Sequence, residues 1–543
     1  MRNLLKRKTV LVAAVVFSCS AMIRAQDLNM VGLNLLRAVA TNVDGTGVRV
    51  AQVEATETAG ATNFEVNPGT AGVASNLFTY ISGAGVATNF PNSVGGESTH
   101  AHDVGVNFYG PSIGLATNVA HVDNYYADYF AQTANPPPFF TLTVTLPSTN
   151  INDAVVNQSF VFGNEPSTVT VGEQQILDTA YDNYAAQYNT LFVSAANNAD
   201  SSVSVSPPGT AYNCISVGAY ASGGVYYNSI GPTLDNGRAK PDITAPAGAT
   251  SYSTPQIAGA AADLIGAGRR GDGGSDTNSA ADPRTVKALL LNGAVKPLGW
   301  TNSNSSPLDA RYGAGVVNIL NSYEQLAAGK HGYNFATNIP TGTAHPPVAM
   351  TNSVAALSGW DFNTNNSSSV GDGVNHYFFN VSNSVSSAKF FATATLVWNR
   401  HQNQSGINNL NLYLYNAANS SLVACSTSLV DNVEHIYKTN LLQGRYDLQV
   451  LKKGGASVST SETYALAWGF FTETAKLTRS GTNVAVVWPV YPAGFLVETA
   501  TNLATPNWIA LSNLTAVVTN NQNQLILSAT NNYQFFRLRM PNL

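Results

Sequence analysis

Two hydrophobic rhythms divide the 543 residues. From about Asn29 to Tyr333, short apolar runs alternate with stretches of helical spacing. Val48–Val53 is rich in β-branched residues and predicts a buried strand, with the carboxylate of Glu54 where the run stops. Glu173–Tyr188 has helical spacing and leads into the apolar run Leu191–Ala195. Further strands are predicted near Ala154–Phe160 and over Cys214–Tyr220, and helices around Thr99–Phe108, Ser251–Gly266 and Arg284–Leu291. Strands alternating with helices predict an α/β domain built on a parallel, doubly wound sheet covered on both faces.

After Tyr333 the rhythm changes. Asn334–Met350 is rich in Thr, Asn and Pro and predicts a linker. Beyond it come β-type runs, "HYFFNV", "KFFATATLVW", "LNLYLY", "YDLQVL" and "TYALAW", separated by Asn/Ser/Gly clusters. This is the pattern of a β-sandwich or jelly roll. A further set of short runs, including "NVAVVW", "GFLVETA", "QLILSA" and "QFFRLR", predicts a second small sandwich-type β domain. The expected organisation is a signal peptide over 1–25, an α/β domain over 26–335, a jelly-roll-like β domain over 345–471 and a small C-terminal β domain over 472–543.

The N-terminal assignment rests on charge and length. Arg2, Lys6, Arg7 and Lys8 precede a short apolar run, Val10–Met22, and Ala25 is a plausible cleavage residue. This reads as a secretory signal, placing the chain in a secreted or cell-envelope location. The run is too short to span a membrane, and no later segment is apolar enough, so no membrane span is expected. Removing residues 1–25 takes five basic residues and no acidic one, leaving 21 Lys+Arg against 31 Asp+Glu, a net charge of −10. That balance argues against nucleic acid as a partner. Charged residues are only 10% of the chain, against about 25% in a typical globular protein, which suits β-rich extracellular modules. Cys214 and Cys425 are expected to be buried free thiols in different domains. No feature of the sequence sets an oligomeric state.

Candidate chemistry begins at "AGATSYSTPQIAGAAADLI", Ala247–Ile265. Ser251 lies between a small-residue loop and a helix of small residues that can pack closely. Pro255 is expected in the first turn of that helix, where it is tolerable because the missing N–H would have no partner there. A serine at a helix N-terminus feels the positive end of the dipole, a setting that suits a nucleophile and equally suits a structural helix cap. A nucleophilic serine needs a base, and the histidines between the signal and Tyr333 are His100, His102 and His121. His100 opens the predicted helix in "ESTHAHDVGVNFYG". His102 and Asp103 beside it do not have the spacing to share a face, so a metal site there is discounted. An oxyanion needs donors, and "LFVSAANNAD" ends a strand in Asn197 and Asn198.

In this order the elements resemble the subtilase (subtilisin-like) family of serine peptidases. Ser251-Tyr252-Ser253-Thr254-Pro255 with Ala258-Gly259 resembles the family's G-T-S-M-A-T-P-x-x-A-G. His100-Ala101 with Val104 resembles its histidine motif, and Ala195-Ala196-Asn197-Asn198 resembles A-A-G-N. Val155-Val156-Asn157-Gln158-Ser159 resembles the strand lining the specificity pocket, V-V-N-M-S. Lys240-Pro241-Asp242-Ile243 and Tyr312-Gly313-Ala314-Gly315-Val316-Val317-Asn318 resemble the segments K-P-D-x-x-A-P and Y-G-x-G-x-V-N. The resemblance covers roughly residues 45–330. It implies Ser251 as nucleophile, His100 as general base and acid, Asn198 as oxyanion donor, and Ser159, Phe160 and Val161 as substrate-binding residues.

The departures are specific. The family strand ends V-A-V-I-D; here it ends Val50-Ala51-Gln52-Val53-Glu54, so Glu54 holds the aspartate position. A glutamate can orient a histidine, but the extra methylene must be absorbed, because misplacement by about 1 Å can cost about 10²-fold in rate. Glu57 is a weaker candidate for the same role. Asn197 stands where the family has Gly, a position that often needs positive φ, and Asn is the best-tolerated replacement. Val161 stands where a side chain crowds the pairing substrate. The inhibitory propeptide common in the family is expected to be absent. In the jelly-roll-like segment, Asn409 and Asn411 replace the acids of a D-x-D-L-Y-L strand, which weakens any calcium binding there.

The expected function is therefore a secreted subtilisin-like serine endopeptidase acting on polypeptide through a Ser-His-Glu triad. No cofactor is required; a structural calcium is compatible with the sequence but has no assignable position. Two other readings carry weight: a catalytically silent subtilase fold serving as a binding or envelope scaffold, and an esterase using the same residues.

Overall fold

The computed structural model describes residues 25–57, 61–134, 143–163, 169–199, 203–220, 229–333, 356–386, 388–455, 458–472, 474–511, 514–519, 522–528 and 534–539. The predicted signal segment up to Arg24 and the predicted linker Asn334–Met350 lie outside these residues.

The N-terminal half is built on an eight-stranded sheet. Its strands are β1 (Arg49–Glu54), β2 (Phe78–Ser82), β3 (Gly85–Ala87), β4 (His121–Tyr126), β5 (Val155–Gln158), β6 (Leu191–Ala195), β7 (Cys214–Tyr220) and β8 (Ile243–Pro246). Their order across the sheet is β8-β7-β6-β5-β1-β4-β2-β3. Every pair is parallel except β2 with β3 at one edge. The strand β1 is buried almost end to end, as expected for a strand covered on both faces. The strands β4 and β5 lie on opposite sides of β1, and ligands of open α/β sheets bind beyond the carboxyl ends of strands at such a switch point.

Among the described residues, the helices of nine or more residues are α1 (Thr99–Phe108), α2 (Val171–Tyr188), α3 (Thr250–Arg270), α4 (Pro283–Gly293) and α5 (Ile319–Ala327). Val53 and Ala51 face the layer containing α2, whereas Val50 faces the layer containing α1 and α3. The strand alternation therefore turns Gln52 and Glu54 toward α1 and α3. The small residues of α3 do what the sequence suggested. A Cβ on Gly259 would lie 2.8 Å from the Leu115 Cβ and 3.1 Å from the Phe108 carbonyl. The helix carrying Ser251 is thereby pressed against the end of the helix carrying His100. Pro255 corrects one expectation: it is the sixth residue of α3, not part of its first turn.

The jelly-roll-like domain has eight strands: β9 (Ser358–Asn366), β10 (Gly373–Val381), β11 (Phe390–Trp398), β12 (Leu410–Asn416), β13 (Ser421–Ser426), β14 (Val433–Leu441), β15 (Gly444–Lys452) and β16 (Ser461–Thr472). They form two antiparallel sheets, β9-β16-β11-β14 and β10-β15-β12-β13, around a core that includes Trp398, Leu412 and Trp468. The last segment forms a four-stranded and a three-stranded sheet around Val486, Trp488, Val497, Leu525 and Leu538. Cys214 is buried, but Cys425 is only half-buried, because it lies on the sheet-edge strand β13.

The first two domains share one core. Trp360, Val397, Val433, Ala465 and Ala467 belong to the same buried cluster as Val286, Leu289 and Leu290 of α4. Polar bonds cross the same junction. The Thr393 and Thr395 hydroxyls donate to Asn292 Oδ1 at 2.9 and 3.0 Å, the Arg400 Nε sits 3.0 Å from Asp182 Oδ2, and Ala239 N–H donates to Asp431 Oδ1 at 2.7 Å.

Candidate active site

At the carboxyl ends of the parallel strands, the sequence-predicted residues come from four separate elements. Glu54 is the last residue of β1 and is fully buried. His100 is the second residue of α1 and is also buried. Its Nδ1 lies 2.8 Å from Glu54 Oε2. A carboxylate only accepts, so Nδ1 carries the proton and Nε2 is left as the basic nitrogen of a neutral ring. Burial opposes charge on this imidazole. The Glu54 carboxylate outweighs it through charge and hydrogen bond, helped by Glu57 and Asp103, and the His100 pKa rises above 6.5.

Sequence reasoning missed the role of Glu57 and Gln52. Glu57 does not orient the imidazole; its Oε1 accepts from His100 N–H at 2.6 Å and from the Ser98 hydroxyl at 2.9 Å. Ser98 in turn caps α1 by accepting from Ala101 N–H at 3.1 Å. The two side chains satisfy amides at the start of α1 and fix where His100 begins. Gln52 Nε2 donates to the other oxygen of Glu54, Oε1, at 2.8 Å, and to the Ala101 carbonyl at 2.9 Å. The legible signal was a polar residue in an apolar strand, two positions before an acid and therefore on its face.

Ser251 is the second residue of α3 and is half-buried, one step past Thr250. Its hydroxyl donates to the Ser159 carbonyl at 3.5 Å, and no hydrogen bond joins it to His100. In a site without substrate, a serine and a histidine that act as nucleophile and base need not be hydrogen-bonded to each other. The position of Pro255 has a consequence here. It lacks the N–H that a helix would aim at the Ser251 carbonyl. The Ser159 hydroxyl donates to that carbonyl instead, at 2.9 Å, joining the segment after β5 to the backbone of Ser251. Tyr252 packs beside His100 with ring centroids 5.9 Å apart. Burial, then the charges of Asp103 and Glu54, push its phenol up to about 12.

Asn198 follows β6, and its Oδ1 accepts from Thr250 N–H at 2.7 Å and from the Thr250 hydroxyl at 2.8 Å. The asparagine side chain thus caps the helix of Ser251, whose own N-cap, Ala249, has no capping group. Asn197 has φ +104 and is buried, its amide nitrogen donating to Ser206 Oγ at 2.9 Å. Ser159, Phe160 and Val161 are all buried. Phe160 joins the core beside Phe162, so Ser159 is the member of the three whose polar atoms meet Ser251. His102 is used structurally: its Nδ1 accepts from Asn67 N–H at 3.0 Å and its Nε2 donates to Glu97 at 2.8 Å.

The arrangement can orient and charge one imidazole and offer amide donors at a helix N-terminus carrying a hydroxyl. Residues 56–315 match the subtilase family. No curated protein matches the sequence. Among solved structures, the chain is similar to the prenylagaramide maturation protease PagA, at 18% identity over 55% of this chain and 99% of that one, with a TM-score of 0.35. It is also similar to the serine protease of Aeromonas sobria solved with its chaperone, at 15% identity over 80% of this chain and 90% of that one, TM-score 0.35. A third likeness is to tripeptidyl peptidase 2, at 12% identity over 77% of this chain and 44% of that one, TM-score 0.30. By its match over residues 56–315 and its parallel sheet, the α/β domain belongs to the subtilase family and has its serine-protease fold.

Proposed function

We propose that the chain is a secreted serine endopeptidase that hydrolyses peptide bonds through Ser251, His100 and Glu54. The observation that carries this reading is the fully buried glutamate bonded at 2.8 Å to the imidazole of His100, on the strand and helix where the family resemblance puts its acid and base. Ser251 Oγ attacks the carbonyl carbon of the scissile bond while His100 Nε2 takes its proton. Glu54 keeps the proton on Nδ1 and stabilises the imidazolium without accepting the proton itself. The Asn198 amide and the backbone N–H groups at the start of α3 stabilise the oxyanion. His100 then protonates the leaving amine, and water repeats the sequence on the acyl-enzyme.

Ser251 Oγ needs only a rotation about χ1 to leave the Ser159 carbonyl. The contact there is long, 3.5 Å, and so is weak. The basic residues and short apolar run at the N-terminus support a location outside the cytoplasm, and the family match supports a polypeptide substrate. The test is labelling of the intact protein with a fluorophosphonate, together with release of peptides from casein. Labelling and proteolysis, both lost in Ser251→Ala, are expected. An intact wild type that neither labels nor cleaves excludes the protease and leaves the silent scaffold.

A further inference from the structure

A glutamate in the place of an aspartate has one more rotatable bond, and a single hydrogen bond to His100 leaves its second oxygen to drift. Here the second oxygen is held. Gln52 is fully buried on β1, on the same face as Glu54. Its Oε1 accepts from the Tyr109 hydroxyl at 2.5 Å, and its Nε2 donates to Glu54 Oε1 and to the Ala101 carbonyl. The amide has one workable orientation. Reversed, its oxygen would face two acceptors and its nitrogen would face the tyrosine hydroxyl. Tyr109 ends α1, and burial, then the charges of Glu54 and Tyr80, raise its phenol well above the ordinary 10, so it stays a neutral donor. Gly105 makes room for it: a Cβ there would lie 2.8 Å from the Tyr109 hydroxyl and 3.1 Å from the ring carbon that bears it.

We infer that Gln52 and Tyr109 are positioning residues that hold the longer Glu54 side chain on His100, and so adapt this site to a glutamate. The inference rests on the proposed function for its kinetic meaning. Four side chains form one chain, Tyr109–Gln52–Glu54–His100, in which each carboxylate oxygen has one donor. Removing the donor on Oε1 has two effects. Glu54 gains freedom to swing away from His100, which lowers kcat. While it remains, its charge is less neutralised and pulls harder on the imidazole proton, which moves the acid limb of the rate profile to higher pH. The other groups that act on His100 are Glu57 from the segment after β1, Asp103 from its own helix and Tyr252 from α3; none of them is hydrogen-bonded to Gln52.

The experiment compares wild type, Gln52→Leu and Tyr109→Phe in two readouts. One is kcat and KM on a chromogenic peptide across pH. The other is the titration of His100, followed by NMR on histidine-labelled protein in the Ser251→Ala background, which needs no turnover. Gln52→Leu is expected to lower kcat by about 10- to 100-fold, the scale of a 1 Å misplacement, with KM within about twofold and the His100 titration raised. Tyr109→Phe keeps the ring packing and is expected to move both readouts the same way by less. A Gln52→Leu protein that melts earlier yet keeps the wild-type His100 titration and kcat would overturn the inference, because Gln52 would then only pack. An inert wild type whose His100 titration still moves in Gln52→Leu would sink the protease while leaving the positioning chain in place.

Discussion

Asn198 Oδ1 accepts from both hydrogen-bond donors of Thr250, the backbone N–H at 2.7 Å and the hydroxyl at 2.8 Å, one residue before Ser251. One side chain therefore caps the helix of Ser251, and in the proposed reaction the same side chain supplies the oxyanion donor. Asn198→Ala is expected to lower kcat by about 10²–10³, the scale of an oxyanion donor, and to cost about 1 kcal/mol of stability as a lost cap. Thr250→Val keeps the N–H bond to Asn198 and is expected to leave kcat within a few-fold. Kinetics and thermal melts on the two variants check this; equal losses of kcat would mean that Asn198 acts only through Thr250.

The carboxylate at Glu54 is expected to matter by charge and by length separately. Glu54→Gln keeps the length but offers His100 Nδ1 an amide in place of a carboxylate. A fall of about 10⁴ in kcat is expected, as when a triad acid loses its charge and the wrong tautomer follows. Glu54→Asp keeps the charge, withdraws it by one methylene and loses contact with Gln52. A fall of about 10- to 100-fold is expected. An aspartate variant faster than wild type would contradict a site fitted to glutamate.

Four of the eight strands of the α/β sheet, β1, β5, β6 and β7, were legible in the sequence because they are continuous apolar runs; β2, β3, β4 and β8 are short or broken by polar residues and gave no such signal. Helix α1 and strands β6 and β7 fall where the pattern put them, and β1 and β5 within two residues. The site was legible as a set of ends: Glu54 closes a strand, His100 and Ser251 lie in the first turn of a helix, and Asn198 follows three residues after a strand end. What was not legible lies across elements. Nothing in the order of residues says that Pro255 leaves the Ser251 carbonyl to Ser159, 92 residues earlier, or that Tyr109 folds back along its helix over Gly105. Likewise, Val397, near the end of the run "KFFATATLVW", reads as sandwich core, yet it lies in the α/β core. A strand pattern shows which face is apolar, not which neighbour covers it.

The raised His100 pKa fixes the direction of two pH effects. The base must be neutral to take the serine proton, so kcat/KM is expected to rise with pH through a midpoint above 6.5. In Glu54→Gln the carboxylate that raises it is gone, so the midpoint of the residual activity is expected to fall. For stability the sign is opposite. His100 gains a proton more readily folded than unfolded, so the stabilisation it gives is full below about 6.5 and is lost as pH rises through the higher folded value. A pH–rate profile and melts between pH 5 and 8 in wild type and His100→Ala check both.

Arg400 links the jelly roll to the α/β domain through a fully buried acid. Its Nε is 3.0 Å from Asp182 Oδ2, and its Nη2 donates to Thr179 Oγ1 at 2.9 Å. Removing Arg400 leaves Asp182 with the Asn213 N–H but without its ion-pair partner, and breaking a buried pair in this way costs about 3–5 kcal/mol. Arg400→Ala is therefore expected to lower the denaturation midpoint sharply. The double variant Arg400→Met/Asp182→Leu, which removes both charges and keeps the volume, is expected to recover much of the loss. A double variant as unstable as Arg400→Ala would show that the loss comes from packing rather than from the orphaned acid.

Asp263 is the opposite case, a buried acid with no hydrogen-bond partner on either oxygen among the described residues, midway along the helix that carries Ser251. Burial, with the Asp44 charge adding to it and Arg37 opposing, raises its pKa well above 3.8. The folded chain thus holds a proton that the unfolded chain releases. The stability Asp263 allows is full below 3.8 and is lost progressively as pH rises toward the folded value. Asp263→Leu removes that dependence and fills the site with carbon, and is expected to stabilise the protein at pH 7 by about 1–3 kcal/mol. The gain is expected to be smaller at pH 4, where more of the unfolded chain is protonated as well. Asp263→Asn is expected to gain less than leucine, because its amide meets the same lack of partners. Denaturant titrations at the two pH values decide it: a leucine variant less stable than wild type at both would mean that the carboxyl fills its site better than a hydrocarbon does.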